Sequence, residues 1–273
     1  MMPSIAPVPF NRFSRTLPLL KLGALEVRLA QSEEDVKAAQ LLRFEVFYEE
    51  CGAQPDETMG FLKQDVARID DFCDVLLVID HTHQKIVGTY RFMLREAAHS
   101  YGSYYTSTEF EISKLIAYPG QIMELGRSCV HKDYRTKATM QLLWRGIGAY
   151  IQLNQVALCF GCASFIGIDV SKYRQALAYL YHYHLAPPEL RTQALSFSYQ
   201  DMDLIPKTEV DKKEAMRQLP PLIKGYLRVG GFVGEGAFLD PTFNSIDVCI
   251  IVKRETVTKR YSQRYTTLIN EEM

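Results

Sequence analysis

Residues 74–80 read DVLLVID and residues 85–94 read KIVGTYRFML, two apolar runs parted only by the polar HTHQ of residues 81–84. Such runs, bounded by a short polar turn, predict a β-hairpin. Strands joined this closely pair antiparallel, because a parallel return needs a crossover of about a dozen residues. The chain is thereby committed to a sheet that is at least partly antiparallel. LEVRLA (25–30) predicts a strand ahead of the hairpin, and further strands are expected near 123–130, 157–165, 236–239 and 245–253. Helical periodicity and end signals predict helices from a Ser32/Asp35 capping box to about Glu50, over 137–153, at ALAYLYHY, and at LPPLIKGYLRVGG, which Gly230 and Gly231 stop. The expected fold class is mixed α/β, a mostly antiparallel central sheet flanked by helices, unlike a doubly wound parallel sheet.

At 273 residues the chain suits one main domain. We expect an N-terminal extension over 1–24, the domain over 25–254 and a basic tail over 255–273. No run approaches the roughly 18 apolar residues that span a bilayer, and the prolines of MMPSIAPVPF do not suit a secretory signal. A cytoplasmic location is the expectation. The six scattered cysteines point to reduced thiols, and Cys159-x-x-Cys162 lacks a second pair for zinc. His81 and His83 fit a solvated turn, so no metal is expected. The net charge of -1 conceals an acidic stretch over 31–80 and basic ones over 121–150 and in KRETVTKRYSQRY. Two readings stay open: ordinary solvated faces, or a basic patch for an acidic partner or an anionic surface.

The stretch MELGRSCVHKDYRTKATMQLLW (123–144) sets Glu124, Arg127 and Cys129 on a strand, then Lys132, Arg135 and Lys137 ahead of a helix. Strict alternation would turn Glu124 and Arg127 to opposite faces, but a bulge near Gly126 would change that. Arg43 falls in the middle of the apolar face made by Val36, Ala39, Val46 and Phe47. It needs a partner there, either a carboxylate of residues 65–74 or something in a reaction cleft. The chain has neither a phosphate loop nor a dinucleotide fingerprint, and neither H-E-x-x-H nor G-x-S-x-G, which disfavours ATP and NAD chemistry and two common hydrolase types.

ELGRSCVHKDYR followed by LLWRGIGAY, the GCASFIG run and LPPLIKGYLRVGGFVGEGAFLDPTFNSIDVCI together resemble the GNAT N-acyltransferase superfamily. Within it the chain looks like the ornithine N-acyltransferases that begin bacterial ornithine-lipid synthesis, a group also labelled hemolysin-like. A weaker resemblance is to acyl-homoserine lactone synthases, matched by Arg43, Phe47, Asp71, Phe72, Asp74, Arg91, Glu124 and Arg127. The tryptophan those synthases carry after the first helix is missing, which counts against lactone synthesis.

The resemblance implies transfer of a 3-hydroxyacyl chain from acyl carrier protein to the α-amino group of L-ornithine. No cofactor is implied beyond the carrier's own 4′-phosphopantetheine, and no nucleic acid. Glu124 is the expected positioner or base for the amine, and Arg127 would hold Glu124 ionised or bind a carboxylate. Arg43, Arg91 and Asp71 are the other expected substrate contacts, with backbone amides at Cys129 and Val130 around the thioester oxygen. Cys129 as a nucleophile is the minor alternative. Tyr134 and Tyr150 are candidates to protonate the leaving thiolate, and the acyl chain is expected in an apolar cleft near Phe92, Trp144 and Phe165. The family's glycine-rich pyrophosphate loop is degraded to Arg135-Thr136-Lys137-Ala138-Thr139-Met140, which weakens the case for coenzyme A. Lys132, Arg135, Lys137 and Arg145 would instead face an acidic carrier. No histidine has an aspartate five residues on, so the O-acylation motif H-x-x-x-x-D is missing and only the first step is expected. The product is amphiphilic, in keeping with peripheral contact at the inner membrane. A coenzyme A-dependent acetyltransferase and a membrane-associated cytolytic module are the alternatives.

Overall fold

The computed structural model describes residues 13–257. Arg12 and the part of the expected basic tail beyond Val257 lie outside the described residues. Strands β1 (Leu20–Leu22) and β2 (Leu25–Leu29) form a first hairpin, so the sheet begins inside the stretch expected as an extension. Helix α1 (Glu33–Phe44) opens on Ser32, whose hydroxyl accepts from the Asp35 amide at 3.3 Å. The Asp35 carboxylate reaches back to the backbone amides of Ser32 and of Gln31, the latter at 2.8 Å, as the capping box expects. Arg28 holds the same carboxylate in a fork at 2.6 and 2.9 Å. A π-helical turn, Glu45–Glu50, carries the helix on to its expected end.

After α2 (Glu57–Leu62) comes the predicted hairpin of β3 (Asp74–Asp80) and β4 (Lys85–Leu94). The chain then runs through α3 (Arg95–Tyr101), a 3-10 turn at Tyr105–Thr108, β5 (Phe110–Glu111) and α4 (Ser113–Ile116). Strand β6 (Gln121–Val130), helix α5 (Lys137–Leu153) and strand β7 (Val156–Ile166) follow. Next are α6 (Arg174–His184), β8 (Gln193–Ala194), β9 (Tyr199–Gln200), α7 (Lys212–Gln218) and α8 (Pro221–Arg228). β10 (Phe232–Val233), β11 (Ala237–Asp240) and β12 (Ser245–Lys253) complete the described strands.

The main sheet has the order β1-β2-β3-β4-β6-β7-β12-β11-β9, with β10 also on β12. Its strand pairs are antiparallel except β6–β7, which is parallel and is bridged by α5. α5 lays Leu142, Leu143, Ile147 and Tyr150 into the core with Val27, Leu76 and Phe92. Full burial of side chains of this size stabilises by about 1.5–3 kcal/mol each. At Gly146 the helix lies so close that an added Cβ would come within 2.9 Å of Leu76. On the opposite face α1 packs Val36 and Ala39 against Val75 and Leu77.

The parallel pair defines where chemistry is available. β6 and β7 pair from Gln121↔Val156 to Glu124↔Phe160, with one shift of register after Gln121, and then the two strands part although each continues for several residues. Backbones touch at the fork, because a Cβ on Gly161 would lie 2.0 Å from the Leu125 carbonyl oxygen. Gly161→Ala is therefore expected to destabilise the protein by about 1–3 kcal/mol in a thermal or urea melt. A melt identical to wild type would mean that the fork relaxes freely.

Candidate active site

The fork is shaped by one extra residue in β6. Pairing with β4 shifts between Thr89↔Cys129 and Arg91↔Gly126, so Arg127 and Ser128 together stand opposite Tyr90. Arg127 takes the left-handed conformation, φ +50°, that such a bulge requires. Glu124 and Arg127 consequently meet at the same neighbour. Glu124 is buried, with one oxygen accepting from the Tyr105 amide at 3.1 Å. Its other oxygen accepts from the Thr106 amide and the Thr106 hydroxyl, each at 2.6 Å. The Arg127 guanidinium lies between the rings of Tyr105, 4.8 Å away, and Phe243, 4.4 Å away, and its Nε donates to Asp65 at 3.1 Å.

Behind this pair lies a closed ion network. Arg43 is fully buried, with its Nε 2.8 Å from Asp65 and its Nη2 bonded to Asp70. Arg91 Nη1 donates to the other Asp70 oxygen at 3.0 Å, and Gln40 donates to Asp70 at 3.0 Å. Burial alone would raise the Asp70 pKa, but Arg43 and Arg91 outweigh it and hold the carboxyl well below its ordinary range. Of the two readings of Arg43, the structure shows the carboxylate-bound one. Asp71 is exposed, because the 3-10 turn Arg68–Phe72 directs Asp70 inward in its place. The acidic position facing the arginines is thus Asp70, a correction by one residue.

A cleft of about 510 Å³ opens from the fork, with Arg91, Tyr105, Glu124 and Arg127 along its wall. Arg91 Nη2 is buried and has no hydrogen-bond partner. Two further carboxylates that the sequence reading missed, Glu109 and Asp247, also line it, each 3% exposed. Burial first, and then Asp247 and Asp240, pushes Glu109 up to about 8, and burial with Asp240 pushes Asp247 up to about 6. Leu125, Cys159, Tyr226 and Val252 border both the narrow gap at the fork and an apolar cavity of about 240 Å³ beyond it, where Trp144, Ile147 and Val229 lie. Of the three aromatics expected near the acyl chain, Trp144 lines that cavity, Phe165 lines the cleft and Phe92 is in the core.

Cys129 and Val130 line the cleft on β6 opposite Thr89 and Gly88. Burial pushes the Cys129 thiol far up, which removes it as a nucleophile. Tyr134 donates to Asp80 and Tyr150 to Asp74, and neither lines the cleft. In the basic loop Lys132 and Lys137 are exposed, while Arg135 reaches back in a fork to Glu50 and donates to the Val130 carbonyl at 3.1 Å. Arg145 is buried at 7% exposure, on the helix side that packs inward, and is not part of that surface. Thr136 caps α5 by accepting from the Thr139 amide at 3.3 Å, so this amide of the helix start is already satisfied by the chain itself.

The sheet forks at its one parallel ladder, with a cleft on one side of the fork and an apolar cavity beyond it, a layout that suits an acyltransferase. Residues 42–145 match the acetyltransferase (GNAT) domain family. The chain is 42% identical to the L-ornithine N(alpha)-acyltransferase of Brucella abortus over 90% of both chains. It is 38% identical to that of Rhodobacter capsulatus over 88% of this chain and 94% of the other. An N-acyl amino acid synthase from uncultured soil microbes aligns over 87% of this chain and 97% of its own, at 10% identity and a TM-score of 0.48. The chain belongs to the L-ornithine N(alpha)-acyltransferase family. Among the described residues, no helix is long and apolar enough to cross a membrane.

Proposed function

We propose that this protein transfers a 3-hydroxyacyl chain from acyl carrier protein to the α-amino group of L-ornithine, forming lyso-ornithine lipid. The observation that carries the reading is the close match to L-ornithine N(alpha)-acyltransferases over nine-tenths of the chain. The cleft supports it. Arg91, with a free Nη2, and Arg127 form a cationic wall suited to an amino-acid carboxylate. The apolar cavity past the fork suits a long acyl chain.

The amine is the nucleophile, and its pKa sets how much help it needs. The α-amine of an amino acid is less basic than a side-chain amine near 10.4, whose neutral form costs about 4.6 kcal/mol at pH 7. Acylation at the α-position therefore asks less of a base. Glu124, fixed by three donors at Tyr105 and Thr106, is our candidate to orient that amine or accept its proton. Arg127 steadies the site by stacking on Tyr105, whose amide Glu124 holds.

A carrier protein is favoured as donor over coenzyme A. The loop lacks the glycines that let a pyrophosphate approach a helix start, and Thr136 already caps that start. Lys132 and Lys137 remain exposed for an acidic carrier surface. Lys132→Glu with Lys137→Glu is expected to raise the KM for acyl carrier protein at least tenfold with kcat little changed, and the effect should shrink with added salt. An unchanged KM would place the carrier elsewhere. Peripheral contact with the inner membrane is part of the proposal, because the product is amphiphilic.

The deciding experiment is mass spectrometry of products after purified protein is offered 3-hydroxyacyl carrier protein or acetyl-coenzyme A, each with pooled amino acids. A 3-hydroxyacyl-ornithine ion is expected from the carrier. Acetylated product alone would overturn both donor and product.

A further inference from the structure

We propose that Glu109 and Asp247 form a buried anionic socket for the terminal ammonium of a diamino acid, and so decide which acceptor the cleft prefers. The inference rests on the amino-acid acceptor proposed above. It starts from an arrangement that the fold itself does not need. Glu109 stands just before β5, behind the 3-10 turn that Glu124 holds, and Asp247 lies on β12. With Asp240 of β11 they bring one carboxylate oxygen each to within 4.8 Å of one another. Asp247 accepts from the Ser245 hydroxyl at 2.9 Å and its pKa is also lowered by a bond to Ser164, as that of Glu109 is by bonds to Cys162 and Tyr105. The Asp247 Oδ1 and the Glu109 Oε2 are buried with no hydrogen-bond partner, and both residues line the cleft.

Carboxyl groups held this way destabilise a fold unless something compensates their charge. The nearby protein cation does so only in part: Arg127 lowers the pKa of Asp247, but it is bonded to Asp65 and sandwiched between Tyr105 and Phe243, and burial outweighs it. An incoming cation would compensate the rest. The cleft is then dipolar: Arg91 Nη2 faces a carboxylate, while Glu109 and Asp247 face a positive charge. An amino acid with a cationic end matches both. A hard divalent ion could answer the three carboxylates, with waters completing its shell of about six oxygens, but it would leave Arg91 Nη2 unanswered. A catalytic base is a poorer fit as well, because an α-amine asks less of a base than a side-chain amine and one carboxylate would serve.

The groups facing the socket are Tyr105 and Arg127, Cys162 and Ser164 of β7, Asp240 of β11 and Ser245 of β12. None supplies an uncommitted positive charge. Glu109, pushed up to about 8, is protonated in the empty cleft at neutral pH. An ammonium seated there displaces that proton, so selectivity for the diamino acid should climb as pH rises from about 6 to 8. The sign for the empty protein is opposite. Its Glu109 lies above the unfolded value of about 4.3, so the folded state holds the extra proton in that window and stability falls as pH rises through it.

The test compares ornithine with norvaline, which has the same carbon chain without the terminal amine, using the full protein and 3-hydroxyacyl carrier protein. In Glu109→Gln and Asp247→Asn the ornithine-to-norvaline ratio of kcat/KM is expected to fall about 10²-fold. The Tm of Glu109→Gln at pH 8 is expected to rise, which separates the socket from a structural role. Equal losses on the two acceptors would make Glu109 a base and overturn the socket. A ratio that survives both substitutions would overturn it too, while leaving ornithine acylation intact. Wild-type protein that acylates no ornithine would overturn the acceptor reading itself. Activity lost on dialysis against a chelator and restored by magnesium or calcium would assign the three carboxylates to a metal instead.

Discussion

Asp70→Ala should destabilise the folded protein by about 3–5 kcal/mol, read as a lower urea midpoint at an unchanged m-value. The residue binds two buried guanidiniums at once, Arg43 through both Nη atoms and Arg91 through Nη1, and also accepts from Gln40. Removing it strips the buried Arg91 of its carboxylate and leaves Arg43 with Asp65 alone, which costs far more than one lost hydrogen bond. The pH dependence follows from the depressed pKa of Asp70. Its contribution is fully present above the unfolded value of about 3.9 and is lost only as pH falls through the much lower folded value. The difference between wild type and variant should therefore be flat from about pH 5 to 8. A loss below 1 kcal/mol would mean that Arg43 and Arg91 find other partners.

Glu124→Gln is expected to lower kcat about 10²-fold or more with little change in KM for ornithine. The amide keeps the shape of the carboxylate but not its charge, and its NH2 would confront either the Tyr105 amide or the Thr106 amide and hydroxyl, all donors. Two readouts separate chemistry from structure. A drop in Tm alongside the drop in kcat would point to the Tyr105–Thr108 turn, whereas a lost kcat with an unchanged melt would point to the amine. Near-wild-type turnover by folded protein would remove Glu124 from the reaction.

How much of this was legible in the sequence depended on the length and regularity of each segment. The hairpin of β3 and β4, helix α5 and strand β12 carry many residues of one period and were readable almost to the residue. The bulge was readable as a need, since Glu124 and Arg127 could share a cleft only if alternation failed near Gly126. Residues 95–118 were not readable, because they fold as a short helix, a 3-10 turn, a two-residue strand and a single helical turn, none long enough to show a period. Glu109 lies in that stretch, which is why it was missed. Asp247 had a signal that went unused: a lone carboxylate within SIDVCIIV, a strand apolar on both faces, as interior strands are. Asp71 was chosen over Asp70 because composition cannot tell which of two adjacent aspartates a 3-10 turn directs inward. Arg145 was misassigned because α5 is buried on most of its circumference and leaves few positions for an exposed cation.

The extra residue in β6 also keeps two like charges apart. Opposite Arg91 stands Gly126, where an added Cβ would already lie 3.6 Å from Arg91 Nη2. Delete Gly126 and the ladder becomes regular, with Arg127 taking the glycine's place opposite Arg91 and one guanidinium set directly against another. Every residue type that the cleft uses would still be in the chain. The spacing of charge along this wall is thus encoded in a residue count as much as in residue identity, and a one-residue deletion here would do more harm than most substitutions.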